Sequence, residues 1–375
     1  MNFLMAWRNL LQNKRRTAAA LGGITFAVLL VFMQLGFLRA ARAGSAMLYE
    51  SFDFDLALVS RHYESLNETG RIDRMRLIQA AIIPDVRKVA PLSVLNLPWR
   101  NVAADQRFSF QVVGVPPDPD FIRDPRIRAQ LPALAAAGTV LVDTWSHRDC
   151  GDITLGRDVE INGRRLRIAG HYAMGAALFA EGGAFIDHDS FLQISRRGSR
   201  DVTFGLVKIA PGRDPDTVAA ALRAGLPKDV LVFTRAGLIR GEQDYFVSVK
   251  PVGIIFKVGV FVAFVVGVVI LFQVLSTEIS NRLKEYATLK AIGFTPFFIY
   301  SIGVIQALLF AALSFLPAVA LSAGVFWAVR TFGRLPALLD AGLLLLVLGL
   351  TLVMCALSTL LALRKVRRAA PAELF

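Results

Sequence analysis

Glu278–Phe298, EISNRLKEYATLKAIGFTPFF, is a charged, amphipathic segment set between long apolar runs. It interrupts two uncharged runs, Val258–Thr277 and the longer Ala291–Val329, overlapping the start of the second. It sets Arg282, Lys284 and Lys290 against Glu278 and Glu285. Ile279, Leu283, Tyr286, Leu289 and Ile292 recur at three- and four-residue steps, the spacing that lines one face of a helix. Gly293 and Pro296 end it, because glycine weakens a helix and proline cannot continue one from inside. An amphipathic helix between two apolar runs is expected to lie on a membrane surface and to offer its polar face to another component.

The composition agrees with a membrane setting. The chain has 375 residues, of which 55% are hydrophobic. That apolar content is concentrated in blocks, unlike the distribution in a soluble domain. Besides the two runs above, Thr17–Leu38 and Ala341–Leu363 are also free of charge. About 20 apolar residues cross a bilayer core as a helix, so the blocks predict four transmembrane helices. Ala291–Val329 is too long for one straight span. Pro296 and Pro317 punctuate it, and the third span is expected to begin near Phe297 and to kink at Pro317.

The net charge of +13 is unevenly placed. Residues 39–250 hold 28 basic and 25 acidic side chains, and the rest of the chain holds 14 and 4. The excess therefore sits beside the spans, which argues against a nucleic-acid partner and for membrane orientation. Lys14, Arg15 and Arg16 precede the first span; Arg364, Lys365, Arg367 and Arg368 follow the fourth. Basic residues favour the cytoplasmic side, which puts both termini and the 278–298 segment inside and residues 39–250 outside. Cys150 falls in the external region and Cys355 in the fourth span, so no intrachain disulfide is expected. The first apolar run exceeds a signal-peptide core and all of Met1–Arg16 precedes it, so it reads as an anchor.

In chain order, Met1–Lys14 puts Phe3, Leu4, Trp7, Leu10 and Leu11 on one stripe and Arg8, Asn9, Gln12, Asn13 and Lys14 on the other. This predicts an interfacial helix, with the start of the first span as the plainer alternative; Trp7 favours the interface. A helical stalk continues past Arg39. Phe52–Ser60 and Phe108–Val115 alternate as strands do, and Thr139–Asp143, Asp158–Ile161, Arg165–Tyr172, Gly183–Ile186, Phe204–Ile209 and Val230–Thr234 also read as strands, with NG and PG turns between several. Helices are expected over Arg71–Ala80 and Asp214–Leu226, the latter capped by Asp214 with Val218, Leu222 and Leu226 inward. Gln243–Val258 reads as one stalk helix returning to the membrane, where Lys257 can snorkel.

Recognisable chemistry is scarce. No G-x-x-x-x-G-K-[ST] occurs, and neither does H-E-x-x-H, G-x-S-x-G or a paired C-x-x-C. His147-Arg148-Asp149 matches a kinase fragment with none of its companions. Asp187-His188-Asp189 offers metal-ligand types, but a strand-to-helix turn capped by Asp189 explains it better. The spans carry Gln34, Gln273, Gln306 and Ser314 and no acidic relay, so an ion-driven carrier is not expected.

EISNRLKEYATLKAIGFTP resembles the cytoplasmic coupling segment of the MacB/FtsX-type ABC transporter permeases, of the type VII superfamily. AWRNLLQNKRRTAAALGGITFAV and ALRKVRRAAPAELF are similar to the same family's ends. FDFDLALVSRHYESL, RMRLIQA, GTVLVDTWS, VEINGRRLRIAGHY and DYFVSVKPVGIIFKVGV resemble its DevC-type branch, the permeases of DevBCA exporters. Arg61-His62 and the basic Arg71–Arg76 depart from that branch. The resemblance spans essentially the whole chain.

It implies a membrane protein with four transmembrane helices and a large periplasmic α+β domain inserted between helices 1 and 2, in the bacterial inner membrane. The parts are a cytoplasmic amphipathic helix (1–16), the first span and stalk (17–49), the periplasmic domain (50–240), a stalk and second span (241–277), and the coupling segment (278–298). A third span (299–329), a short periplasmic loop (330–340), the fourth span (341–363) and a cytoplasmic tail (364–375) follow. It also implies a homodimer, two copies of a separate ABC ATPase that carries ATP and magnesium, a periplasmic membrane-fusion adaptor and an outer-membrane channel. This chain would bind no cofactor and hold no catalytic residue. Glu278, Arg282, Glu285, Tyr286, Thr288, Leu289, Lys290, Ile292 and Gly293 would meet the ATPase; Trp7, Arg8, Lys14, Arg15 and Arg16 would meet the bilayer. The function so implied is an export permease for a lipid, glycolipid, other amphiphile or peptide, working by mechanotransmission. An FtsX-like regulator of a periplasmic cell-wall hydrolase, a lipoprotein-releasing permease and a membrane-anchored sensor or enzyme are the alternatives.

Overall fold

A computed structural model describes residues 14–175, 180–196, 198, 200–281, 296–332 and 337–368. Two compact units emerge, one of apolar helices and one of mixed strands and helices inserted after the first helix. Each is described separately.

Among the described residues, the helical unit contains four helices long and apolar enough to cross a membrane. The first is α1, Lys14–Glu50, whose last turns belong to the inserted unit. The other three are Pro251–Asn281, Pro296–Phe332 and Ala341–Arg368. Their shared core gathers Ile24, Val28, Phe32, Leu271, Leu275, Phe310 and Val347. Val258, Phe261, Val262, Val265 and Val269 remain exposed on Pro251–Asn281, along a surface that acyl chains suit. Pro296–Phe332 stays one helix through Pro317.

Apolar helices in lipid gain little from hydrophobic contact with one another and associate through close packing at small residues. Gly23 faces Ile270, Gly267 faces Met354 and Ala27, and Gly36 faces the ring of Phe326. A Cβ at Gly36 would overlap that ring. Gly36→Val is therefore expected to cost about 1–3 kcal/mol by overpacking, seen as a lower melting temperature of the detergent-solubilised chain. Phe326→Ala in the same chain should restore most of the loss. A bundle indifferent to Gly36→Val would refute the close approach. At the far end of α1, the Arg39 guanidinium meets Asp340 at 2.7 Å, and the Asp340 carboxylate also accepts the Leu343 N–H.

The inserted unit continues with β1 (Leu56–Ser60), β2 (Ile72–Asp73), α2 (Met75–Ala81), β3 (Val86–Asn101) and β4 (Gln106–Val115). The single turns α3 (Pro125–Arg128) and α4 (Leu131–Leu134) lead to β5 (Thr139–Asp143), β6 (Asp158–Ile161), β7 (Arg164–Tyr172) and β8 (Gly182–Asp187). Then come α5 (His188–Ser195), β9 (Asp201–Val202), β10 (Phe204–Ile209), α6 (Pro215–Gly225), β11 (Val230–Thr234) and α7 (Arg235–Ser248). The three remaining apolar helices are α8 (Pro251–Asn281), α9 (Pro296–Phe332) and α10 (Ala341–Arg368).

Nine strands pair in the order β11-β1-β10-β3-β4-β8-β5-β7-β6, with β6 returning to pair β3. That last pairing, Trp99 against Ile161, closes β3, β4, β8, β5, β7 and β6 into a ring. Trp99, Phe110, Val112, Val140, Ile161 and Ile168 form one core with residues of this ring. The other strands, β11, β1, β10 and the first half of β3, form an open sheet. Leu77 of α2 and Val218 and Leu222 of α6 cluster with Leu56, Leu58 and Val207 of that sheet. Tyr49 of α1 and Leu238 of α7 belong to a second cluster with Ala57, Val59 and Phe204.

The sequence signals locate eight of these strands well. The long strand β3 carries none of that legibility, since Pro91 and Pro98 argue against a central strand. It survives because over Val86–Pro98 it pairs with one neighbour at a time, β10 and then β4. A proline there can turn its missing N–H toward the unpaired side. Three local expectations differ from the structure. Arg71–Ala80 divides into β2 and α2, because Ile72–Asp73 pairs with β9. The turn before α5 is capped by Asp187, which accepts the Ser190 N–H at 2.9 Å; Asp189 lies one residue inside the helix. The return toward the membrane is two helices, α7 and α8, with Pro251 starting the second in the first-turn position that tolerates it.

Candidate functional site

Of the residues expected to meet an ATPase, Glu278 lies in the last described turn of α8 beside Ile279, which is buried in the helical core. Glu278 lines a cavity of about 420 Å³ with Thr17 and Ala20 of α1, Gln273 and Thr277 of α8, and Phe310 of α9. Arg282, Glu285, Tyr286, Thr288, Leu289, Lys290, Ile292 and Gly293 lie outside the described residues, as do Trp7 and Arg8. Lys14 and Arg15 open α1 and are exposed; Arg16 follows on the same helix. Among the described residues no group of three His, Cys, Asp or Glu side chains is placed to hold a metal ion. His188 is buried, and that burial lowers its pKa, an effect the nearby Arg74 reinforces.

The inserted unit contains a polar cluster that sequence inspection passes over. Glu242 lies in α7 and is 1% exposed. One carboxylate oxygen accepts the Leu66 N–H at 2.9 Å; the other accepts the Tyr63 hydroxyl at 2.6 Å and that of Tyr49 at 3.4 Å. The two tyrosine oxygens lie 2.7 Å apart. Exposed contacts surround this centre. Arg42 of α1 meets Asp244 at 3.1 Å, Lys250 meets Glu68 at 3.2 Å, and Tyr245 donates to Glu64. The signal for Glu242 was available: Leu238, Glu242 and Phe246 follow one another at four-residue steps, and all three are buried. An acid on the apolar stripe of a helix needs a partner or pays a large desolvation cost.

Burial raises the Glu242 pKa, opposed by the hydrogen bonds from Tyr63, Leu66 and Tyr49 and by the charge of Lys250. Burial also raises that of Tyr63, with the Glu242 charge adding to it. The sign for stability follows from linkage. Between the ordinary glutamate value and its raised folded value, the folded chain holds a proton that the unfolded chain has released, so stability falls as pH rises through that window. Glu242→Gln cannot ionise. Its melting temperature should therefore gain on that of the wild type as pH increases above the ordinary glutamate range, and a constant or opposite difference would refute the assignment.

Two family models match the sequence. The MacB-like periplasmic core domain covers residues 17–224, and the FtsX-like permease C-terminal domain covers residues 257–371. No curated protein matches the chain significantly. Among solved structures, the periplasmic region of MacB from Actinobacillus actinomycetemcomitans is similar at 11% identity and a TM-score of 0.36, covering 49% of this chain and 90% of that one. The extracellular domain of the ABC-type transporter YknZ from Gram-positive bacteria is similar at 10% identity and a TM-score of 0.33, covering 48% and 98%. The four apolar helices and the domain between the first two fit a multi-pass inner-membrane protein. With more than half its length matched by the MacB-like core domain and most of the following region by the FtsX-like domain, the chain belongs to the MacB/FtsX-type permeases of the type VII ABC transporter superfamily.

Proposed function

We propose that this permease converts the motion of two separate ATPase subunits into conformational change in its inserted domain, by mechanotransmission. It would do so as a homodimer with both termini in the cytoplasm and the inserted domain in the periplasm. ATP and magnesium act on the partner subunits, and this chain contributes no catalytic residue. The amphipathic segment 278–298 is the lever the ATPases push, and α1, continuous from Lys14 to Glu50, is a stiff element able to transmit that push. The observation that carries this reading is the union of an FtsX-like membrane region with a MacB-like domain, on apolar helices that bury no charged side chain among the described residues. An ion-driven substrate path through such a bundle would need ionisable groups at mid-membrane.

The DevC-like motifs favour a tripartite exporter with a membrane-fusion adaptor and an outer-membrane channel, moving a lipid, glycolipid or other amphiphile. The test is co-expression with the ATPase and adaptor encoded beside this chain, and ATPase measurement in lipid nanodiscs with and without the adaptor. Adaptor-dependent stimulation is the expected result. ATPase association with no adaptor response would favour an FtsX-like regulator of a cell-wall hydrolase and overturn the exporter.

A further inference from the structure

We infer that Glu242 is a positioning residue of the transport cycle, registering the C-terminal end of α1 and the helix α7 against strand β10 so that displacement of the helices reaches the sheet. The inference rests on the mechanotransmission reading and names the joint where the motion would change hands.

Three polypeptide segments that are distant in sequence converge on one carboxylate. Tyr49 comes from the last turn of α1, Tyr63 and Leu66 from the loop after β1, and Glu242 from α7. The two tyrosine rings both pack edge-on against Phe204 of β10, with centroids 5.9 Å and 5.8 Å away. Phe204 is itself fully buried and paired to Val59 of β1 and Leu92 of β3. A rotation of α7 or of the end of α1 would therefore drag the tyrosines across a ring fixed in the middle of the sheet.

The chemistry of the centre suits a joint better than a filler. An apolar contact is non-directional and tolerates sliding. A carboxylate that accepts a backbone N–H and the Tyr63 hydroxyl, with the Tyr49 hydroxyl 2.7 Å from that of Tyr63, constrains distance and angle at once. Stability alone gives no reason to bury an acid, since a buried charge gains little over a well-packed apolar group. A fixed register between moving parts does give a reason.

The test uses the full chain with its ATPase in nanodiscs and reads hydrogen exchange of β1 and β10 peptides with and without ATP plus vanadate. Three variants are compared: Glu242→Ala, Glu242→Gln and Tyr63→Phe. Gln keeps one carbonyl oxygen for Tyr63 and Leu66. Phe keeps the ring on Phe204 and loses only the hydroxyl, so it serves where the alanine variant does not fold. The wild type is expected to show an ATP-dependent change in β10 exchange. Glu242→Ala and Tyr63→Phe should reduce that change at least threefold with ATPase rates within twofold of wild type, and Glu242→Gln should retain more than half of it. A change of wild-type size in Glu242→Ala and Tyr63→Phe would overturn the inference. So would faster exchange raised equally with and without ATP, the mark of a merely structural role. A wild type with no ATP-dependent change would overturn the mechanotransmission reading itself.

Discussion

Replacing Tyr286 and Leu289 together by glutamate is expected to lower the ATPase co-purified with this chain at least tenfold, while insertion and expression stay unchanged. The family resemblance would place both residues at the contact with the ATPase, as one aromatic and one aliphatic side chain flanking Thr288 and Lys290. Interfaces concentrate binding energy in a few buried aromatic and aliphatic anchors, and truncating one costs about 2 kcal/mol or more. A charge at such a position adds desolvation to the lost contact, and about 1.4 kcal/mol is a tenfold change in affinity. Insertion should survive because both positions lie between the apolar runs, not within the core of a span. Pull-down of the tagged ATPase from solubilised membranes measures the effect. Wild-type recovery would show that the segment is a connecting helix and no lever.

Trp99→Ala should be the most damaging single change in the inserted domain. Trp99 is 1% exposed, stacks on Phe110 with centroids 4.2 Å apart, and donates its indole N–H to the Cys150 carbonyl at 2.9 Å. It also occupies the register position where β3 meets β6 and the ring of strands closes. Removing a buried indole costs about 3–5 kcal/mol through lost transfer energy and the cavity left behind. For a domain of this size each kcal/mol lowers the melting temperature by about 2–4 °C, so a drop on the order of 10 °C is expected. Trp99→Phe should cost far less, since it keeps a ring against Phe110 and gives up the bond to Cys150. Thermal unfolding of the solubilised full chain, followed by near-ultraviolet circular dichroism, separates the two. Equal losses would mean that the hydrogen bond and not the packing holds the ring shut.

Much of this architecture is legible because its signals are local. A bilayer-length apolar run needs no tertiary partner to be recognised, and four such runs correspond to α1, α8, α9 and α10. Short runs of strand-forming residues between turn signals identify strands, and the eight expected strands coincide with β1, β4, β5, β6, β7, β8, β10 and β11 to within a few residues. The cap at Asp214 is likewise local, since its carboxylate accepts an N–H three residues away. Each of these depends on residues within one helix or one strand.

Local sequence signals thus give the parts of this chain: an apolar helix, an α+β insertion and three further apolar helices. Tertiary structure alone decided how the strands join. The proline-bearing β3 became a central strand because its neighbours change sides midway, and β6, which follows it in the chain only after β4 and β5, pairs with it to close a ring. It also decided that Glu242 would be buried beside Tyr63 and Tyr49, drawing donors from 176 to 193 residues away. The physical reason is range. Periodicity and capping act between neighbours along the chain, whereas pairing register and the satisfaction of a buried charge depend on which distant groups the packed core brings into hydrogen-bonding reach.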